Sequence, residues 1–120
     1  MPSDWPPAPR PLVARTLRDL LIASAAEYPD ADAVVFPQTR LSYSDLLAES
    51  WRVSRSLSAL GVRPRDHVGI LMLNTPEFVS CLFGIAMLGA VPVPINARYR
   101  SREIAFLTRD ADLVAILTSE

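Results

Sequence analysis

The chain has 120 residues, half of them hydrophobic, and a net charge of −1. That length fits one domain or part of a larger one, and the balanced charge gives no electrostatic footing for nucleic acid or an acidic membrane surface. The twelve basic residues are all Arg, so no Lys is present to serve as phosphate ligand, Schiff base or general base.

Residues 1–15 read as a proline-rich flexible arm, with Pro2, Pro6, Pro7, Pro9 and Pro11 holding the backbone extended. Its start, Met1-Pro2-Ser3-Asp4-Trp5, lacks the basic and apolar regions of a secretory signal. Together with a single cysteine, Cys81, which allows no internal disulfide, this points to a reducing cytoplasm. Thr16, with Asp19 three residues on, predicts a helix start. Leu17, Leu20, Leu21, Ser24 and Tyr28 supply its apolar spacing, and Pro29 stops it. Residues 33–36 predict a short strand, and Pro37-Gln38-Thr39 turns the chain into a second one at residues 41–43.

Ser42 with Asp45 opens the next helix, whose expected buried stripe is Leu46, Leu47, Val53, Leu57 and Leu60, with Arg52 and Arg55 in solvent. Gly61 fits the position just past its end. Residues 67–73 predict a strand buried on both faces, as in a parallel sheet. Asn74-Thr75-Pro76-Glu77 combines a cap, a first-turn proline and an acid at the positive helix end. The helix that follows, residues 77–88, is apolar around most of its girth and requires cover on several sides. Gly89 ends it, residues 91–95 predict a strand, Ser101 starts a helix with Ile104, Phe106 and Leu107 as contacts, and residues 113–117 form a last strand. The uncharged stretch 78–97 has the length of a membrane span, but Gly89, Pro92 and Pro94 interrupt it, so it reads as a helix plus a buried strand. The order strand, helix, strand, helix, strand gives the α/β class: βαβ units of a parallel sheet with flanking helices. The last strand has no later element to cover it, so an exposed edge and part of a larger domain are expected.

Few residues here suit chemistry. Gly61, Gly69, Gly84 and Gly89 form neither G-x-G-x-x-G nor a Walker loop. His67 adjoins Asp66, but neighbours on a strand point to opposite faces, so a satisfied structural histidine is expected. No second His or Cys stands at ligand spacing, so no metal site is expected. Asp110 and Asp112 read as turn residues, Arg98, Arg100 and Arg102 beside Tyr99 as a solvated loop and helix start, Trp51 as packing, and Cys81 as a small buried hydrophobe.

Two segments carry a resemblance. Leu41-Ser42-Tyr43-Ser44-Asp45-Leu46 resembles the first core motif of the adenylate-forming enzymes, and Gly89-Ala90-Val91-Pro92-Val93-Pro94-Ile95-Asn96 resembles the second, more specific one. Asp66-His67-Val68-Gly69-Ile70, Asn74-Thr75-Pro76-Glu77-Phe78, Arg98 and Glu103-Ile104 extend it over residues 16–120. Asn96 followed by Arg98 looks more like the acyl-CoA synthetases than the peptide-synthetase adenylation domains, which often have Asp there. The resemblance implies an incomplete N-terminal part of the adenylate-forming fold. For the whole enzyme it implies ATP, Mg²⁺ and coenzyme A, an acyl-adenylate intermediate, and an acyl-CoA product. The family's phosphate loop, Thr-Glu segment, adenosine-binding Asp and mobile Lys all lie downstream of the matched motifs. No catalytic, cofactor-binding or metal residue is therefore transferred to this chain. The expected partner is the remainder of a split synthetase or a full-length synthetase, and the isolated chain is expected to be inactive.

Overall fold

The computed structural model describes residues 16–119; the proline-rich arm expected at residues 1–15 lies outside them. Helix α1 (Leu17–Glu27) starts where Thr16 Oγ1 accepts the Asp19 N–H at 3.1 Å. Its buried side is narrower than the expected stripe: Leu21 and Ala25 are buried, while Leu17, Leu20 and Tyr28 are exposed. A charged residue takes part of that interface instead. The Arg18 guanidinium lies 5.3 Å from the Trp51 ring centroid and donates to the Met87 carbonyl at 3.3 Å.

Strands β1 (Asp32–Phe36) and β2 (Thr39–Ser42) pair as an antiparallel hairpin. Helix α2 (Tyr43–Ala59) begins on a reciprocal cap: Asp45 N–H donates to Ser42 Oγ at 3.1 Å and Ser42 N–H to the Asp45 carboxylate at 3.0 Å. Leu46, Ser50, Ser54 and Leu57 are its buried residues. Leu60, expected in that stripe, is 81% exposed because the helix has already ended and Gly61, at φ +98°, turns the chain away.

Strand β3 (His67–Leu71), helix α3 (Pro76–Met87), strand β4 (Val91–Pro94), helix α4 (Ser101–Asp110) and strand β5 (Leu113–Thr118) complete the described chain. The three strands form a parallel sheet in the order β4-β3-β5. Helix α3 explains its own composition. Ile85 packs into a core with Leu57, Val62, Val68, Ile70 and Ala90, while Met87 packs into a second core with Leu21, Val34 and Leu46. Two cores on two sides of one helix require apolar residues around most of its girth. Residues 78–97 thus divide into α3, the Gly89 turn (φ +83°) and β4, and no described helix is long and apolar enough to cross a membrane.

Helices α2 and α3 meet through small residues. A Cβ placed on Gly84 would fall 2.5 Å from Val53 Cβ and 3.1 Å from the Ser50 carbonyl oxygen, so glycine is what permits this approach. On the sheet, the β3–β5 register shifts between His67↔Leu113 and Val68↔Ala115, leaving Val114 as an extra residue. The bulge brings Leu113 and Ile116 to the same side. Their side chains lie 3.0 and 3.3 Å from where a Gly69 Cβ would be, with Ile95 at 2.8 Å.

Candidate functional site

In open α/β sheets ligands bind beyond the carboxyl ends of the strands, where connections leave in opposite directions. Here β3 leads to β4 on one side, and β4 then crosses to β5 on the other. With right-handed crossovers this puts α3 and α4 on opposite faces of the sheet. The segments at that end are short and already engaged. Thr75 Oγ1 accepts the Phe78 N–H at 3.4 Å to start α3. Asn96 Oδ1 accepts the Arg98 N–H at 2.9 Å, and the Asn96 carbonyl accepts the Tyr99 N–H at 2.9 Å. Asn96 therefore shapes the turn out of β4. The Glu103 carboxylate accepts the Arg100 N–H at 3.1 Å at the head of α4. Arg98, Arg100 and Arg102 are exposed.

The opposite, amino-terminal end gathers more titratable groups. Arg65, Asp66, His67, Asp112 and Val114 line a small cavity of about 90 Å³. His67 Nδ1 lies 2.6 Å from the Ala111 carbonyl oxygen. A carbonyl only accepts, so Nδ1 carries the proton and donates. Asp66 accepts the Arg63 N–H at 2.8 Å. Asp112 occupies the left-handed region (φ 56°) just past α4, where its N–H reaches the Arg109 carbonyl at 3.3 Å. Asp110 is the last residue of α4. The structure thus brings Asp66, His67 and Asp112 to one small cavity, where the His67–Ala111 bond ties the α4–β5 turn to the start of β3 while Asp66 and Asp112 shape their own turns.

Cys81 is half-buried between α2 and α3, near Glu49, Glu77 and Ser80. Burial, and then the negative charge of Glu77, push its thiol above the ordinary value of 9.0. That is the opposite of an activated nucleophile. Ser80 Oγ donates to the Glu49 carboxylate at 2.9 Å. Among the described residues, no three His, Cys, Asp or Glu side chains come together to hold a metal ion.

The remaining concave surfaces are apolar. A depression of about 480 Å³ on α4 is lined by Tyr99, Arg102, Glu103, Phe106 and Leu107. Phe106, expected as a packing contact, is 63% exposed there, because α4 touches the rest of the fold through β5. A groove of about 350 Å³ lies between the end of α2 and β5, lined by Leu57, Leu60, Gly61, Val62 and residues 114–117. Sequence reasoning named no groove at either place. The available signals were Leu60 beyond a helix end and Phe106 on a helix short of apolar partners.

The family model for the AMP-binding enzyme matches residues 21–120. The chain belongs to the AMP-binding enzyme family. Among relatives, it is 31% identical over 108 residues to the long-chain-fatty-acid–CoA ligase of Bacillus subtilis (strain 168), covering 90% of this chain and 19% of the ligase. Among solved structures, it superposes on the N-terminal domain of FACL13 from Mycobacterium tuberculosis with a TM-score of 0.83 and 33% identity, covering 88% of this chain and 27% of that one. It matches the nonribosomal peptide synthetase FmoA3 at the same TM-score of 0.83 and 33% identity, covering 92% of this chain and 12% of that one. The chain spans about a fifth of the length of the ligase it matches.

Membership gives the two motifs a physical meaning. In this AMP-binding family chain, Ser42 and Asp45 of the first motif cap α2, while Gly89, the prolines and Asn96 of the second shape β4 and its exit. The residues present do not fit a bound nucleoside triphosphate and its metal. Gly61 and Gly89 end helices, Gly69 and Gly84 are closed over by side chains, and there is no Lys. Phosphoryl chemistry needs a close backbone approach to the phosphates, and these four glycines do not form such a cradle.

Proposed function

We propose that this chain is the N-terminal scaffold portion of an AMP-forming acid–CoA ligase, with residues 16–120 forming part of its AMP-binding domain. The whole enzyme converts a carboxylic acid and ATP to an acyl-adenylate and pyrophosphate, then passes the acyl group to the coenzyme A thiol. ATP, Mg²⁺ and coenzyme A belong to that whole enzyme. This portion contributes architecture and no reacting group, and we place it in the cytoplasm.

The observation that carries the reading is the match of residues 21–120 to the family, together with the shared geometry of the FACL13 N-terminal domain. Asn96 and Arg98 after β4 favour coenzyme A over a peptide-synthetase carrier as acyl acceptor. The expected outcome is that purified chain given ATP, Mg²⁺ and mixed fatty acids releases no pyrophosphate above background. Sustained turnover would overturn the scaffold reading.

A second reading is a split-enzyme subunit or non-catalytic module that pairs with a larger synthetase chain. The exposed β5 side of the sheet favours it: Val114 is 56% exposed and Leu60 beside it 81%. Co-purification from cells with a synthetase chain supports that pairing, and recovery of the chain alone under gentle lysis counts against it.

A further inference from the structure

The last turn of a helix leaves carbonyls that no residue of the helix itself can satisfy. At the end of α3 two of them are met locally. Gly89, at φ +83°, sends its own N–H to the Ala86 carbonyl at 3.0 Å, and the Ala90 N–H then reaches the Ile85 carbonyl at 3.2 Å. This is the paired closure that a left-handed glycine gives a helix end. The Met87 carbonyl is left over. Among the described residues no backbone N–H reaches it. Met87 is 1% exposed, which keeps water away, and α3 has no basic residue in its last turn.

The missing donor comes from another helix. Arg18, in the first turn of α1, donates a guanidinium N–H to the Met87 carbonyl at 3.3 Å, across 69 residues of sequence. The Trp51 ring of α2, its centroid 5.3 Å away, holds the planar cation in place. A positive charge here also meets the negative end of the α3 dipole. Arg18 as a whole stays exposed, so the cation keeps part of its hydration while it bonds inward. Leu21, one turn further along α1, packs with Met87 in a shared core, so polar and apolar contacts tie the same two helices. The turn is bonded onward as well: the Gly89 carbonyl accepts the Arg65 N–H at 2.9 Å, just ahead of β3.

We propose that Arg18 is a positioning residue that caps α3 from α1, so that the seating of α1 and the Gly89 turn into β4 open and close as one unit. Releasing α1 uncovers the Met87 carbonyl and loosens the turn; loosening the turn displaces that carbonyl and weakens the hold on α1. The coupling is reciprocal because both events break the same bond. It makes the entrance to the second motif depend on a helix far away in sequence.

Amide hydrogen exchange on the full chain tests this from both ends. Arg18→Met keeps the apolar stem and removes the donors and the charge, whereas Arg18→Lys keeps a cation and a donor. Arg18 is exposed, so both variants leave the fold intact. In Arg18→Met the Gly89 and Ala90 amides exchange about fivefold faster, the factor that one net hydrogen bond supplies. Arg18→Lys brings them back to within about twofold of wild type. From the other end, Gly89→Ala strains the turn, because alanine rarely holds φ +83°. It speeds exchange of the Leu21 and Ala25 amides in the wild-type chain and leaves them unchanged in Arg18→Met. Unaltered Gly89 and Ala90 exchange in Arg18→Met, or no recovery in Arg18→Lys, overturns the proposal. So does an effect of Gly89→Ala on α1 that is absent, or that is the same in both backgrounds.

Discussion

Adding one methyl group at Gly84 tests how closely α2 and α3 are held. In Gly84→Ala the new Cβ lies 2.5 Å from both Cβ and Cγ1 of Val53 and 3.1 Å from the Ser50 carbonyl oxygen. Carbon atoms in contact prefer about 3.5–4.0 Å. A rotamer change moves Val53 Cγ1 but not its Cβ, which is fixed to the α2 backbone. The two helices must therefore separate by about 1 Å, loosening the core around Leu57 and Ile85. Overpacking of this kind costs about 1–3 kcal/mol. The upper end applies here because backbone must move, and better helix propensity offsets about 1 kcal/mol. The net expectation is a loss of about 2 kcal/mol, measured by urea unfolding followed at 222 nm. The decisive control is the same substitution in a Val53→Gly background. With the obstructing carbon gone, Gly84→Ala stabilises by about 1 kcal/mol through propensity alone. A neutral effect in the wild-type chain, or the same sign in both backgrounds, refutes the packing argument.

Four further outcomes follow from the same structure. Ser42→Ala removes the hydroxyl that accepts the Asp45 N–H and lowers stability by about 1 kcal/mol, read as a lower urea midpoint at unchanged slope. Ser50 Oγ is fully buried with no hydrogen-bond partner among the described residues, so Ser50→Ala raises the midpoint, by about 1 kcal/mol. Replacing Pro92 and Pro94 with Val restores two outward donors on β4 and increases self-association, seen as greater light scattering at equal concentration. The raised Cys81 thiol reacts slowly with disulfide reagents at neutral pH. Its folded-state value exceeds the unfolded one, so its stabilising contribution is full below the unfolded value and is lost as pH rises through the folded one. Thermal melts from pH 8 upward show this as a decline that Cys81→Ser lessens.

What the residues wrote locally, they wrote clearly. Thr16 with Asp19, Ser42 with Asp45, and Thr75 before Pro76 start helices where the sequence alone places them, because a cap and the N–H it binds lie within one turn. Gly61 and Gly89 end helices for an equally local reason, their positive φ. The alternation from His67 onward gave the α/β class, and the Gly-Ala-Val-Pro-Val-Pro-Ile-Asn run gave the family, which the match over residues 21–120 establishes. Burial followed less closely: Leu17, Leu20, Leu60 and Phe106 have apolar spacing but are exposed, since spacing names a face and only a neighbour can cover it. The order β4-β3-β5, the extra residue at Val114, and the approach of Val53 to Gly84 belong to tertiary structure. Each depends on residues far apart in sequence, such as His67 and Val91, meeting in one register. The same holds for the β4 edge: prolines at 92 and 94 are visible in the sequence, but only the register shows that both face away from β3.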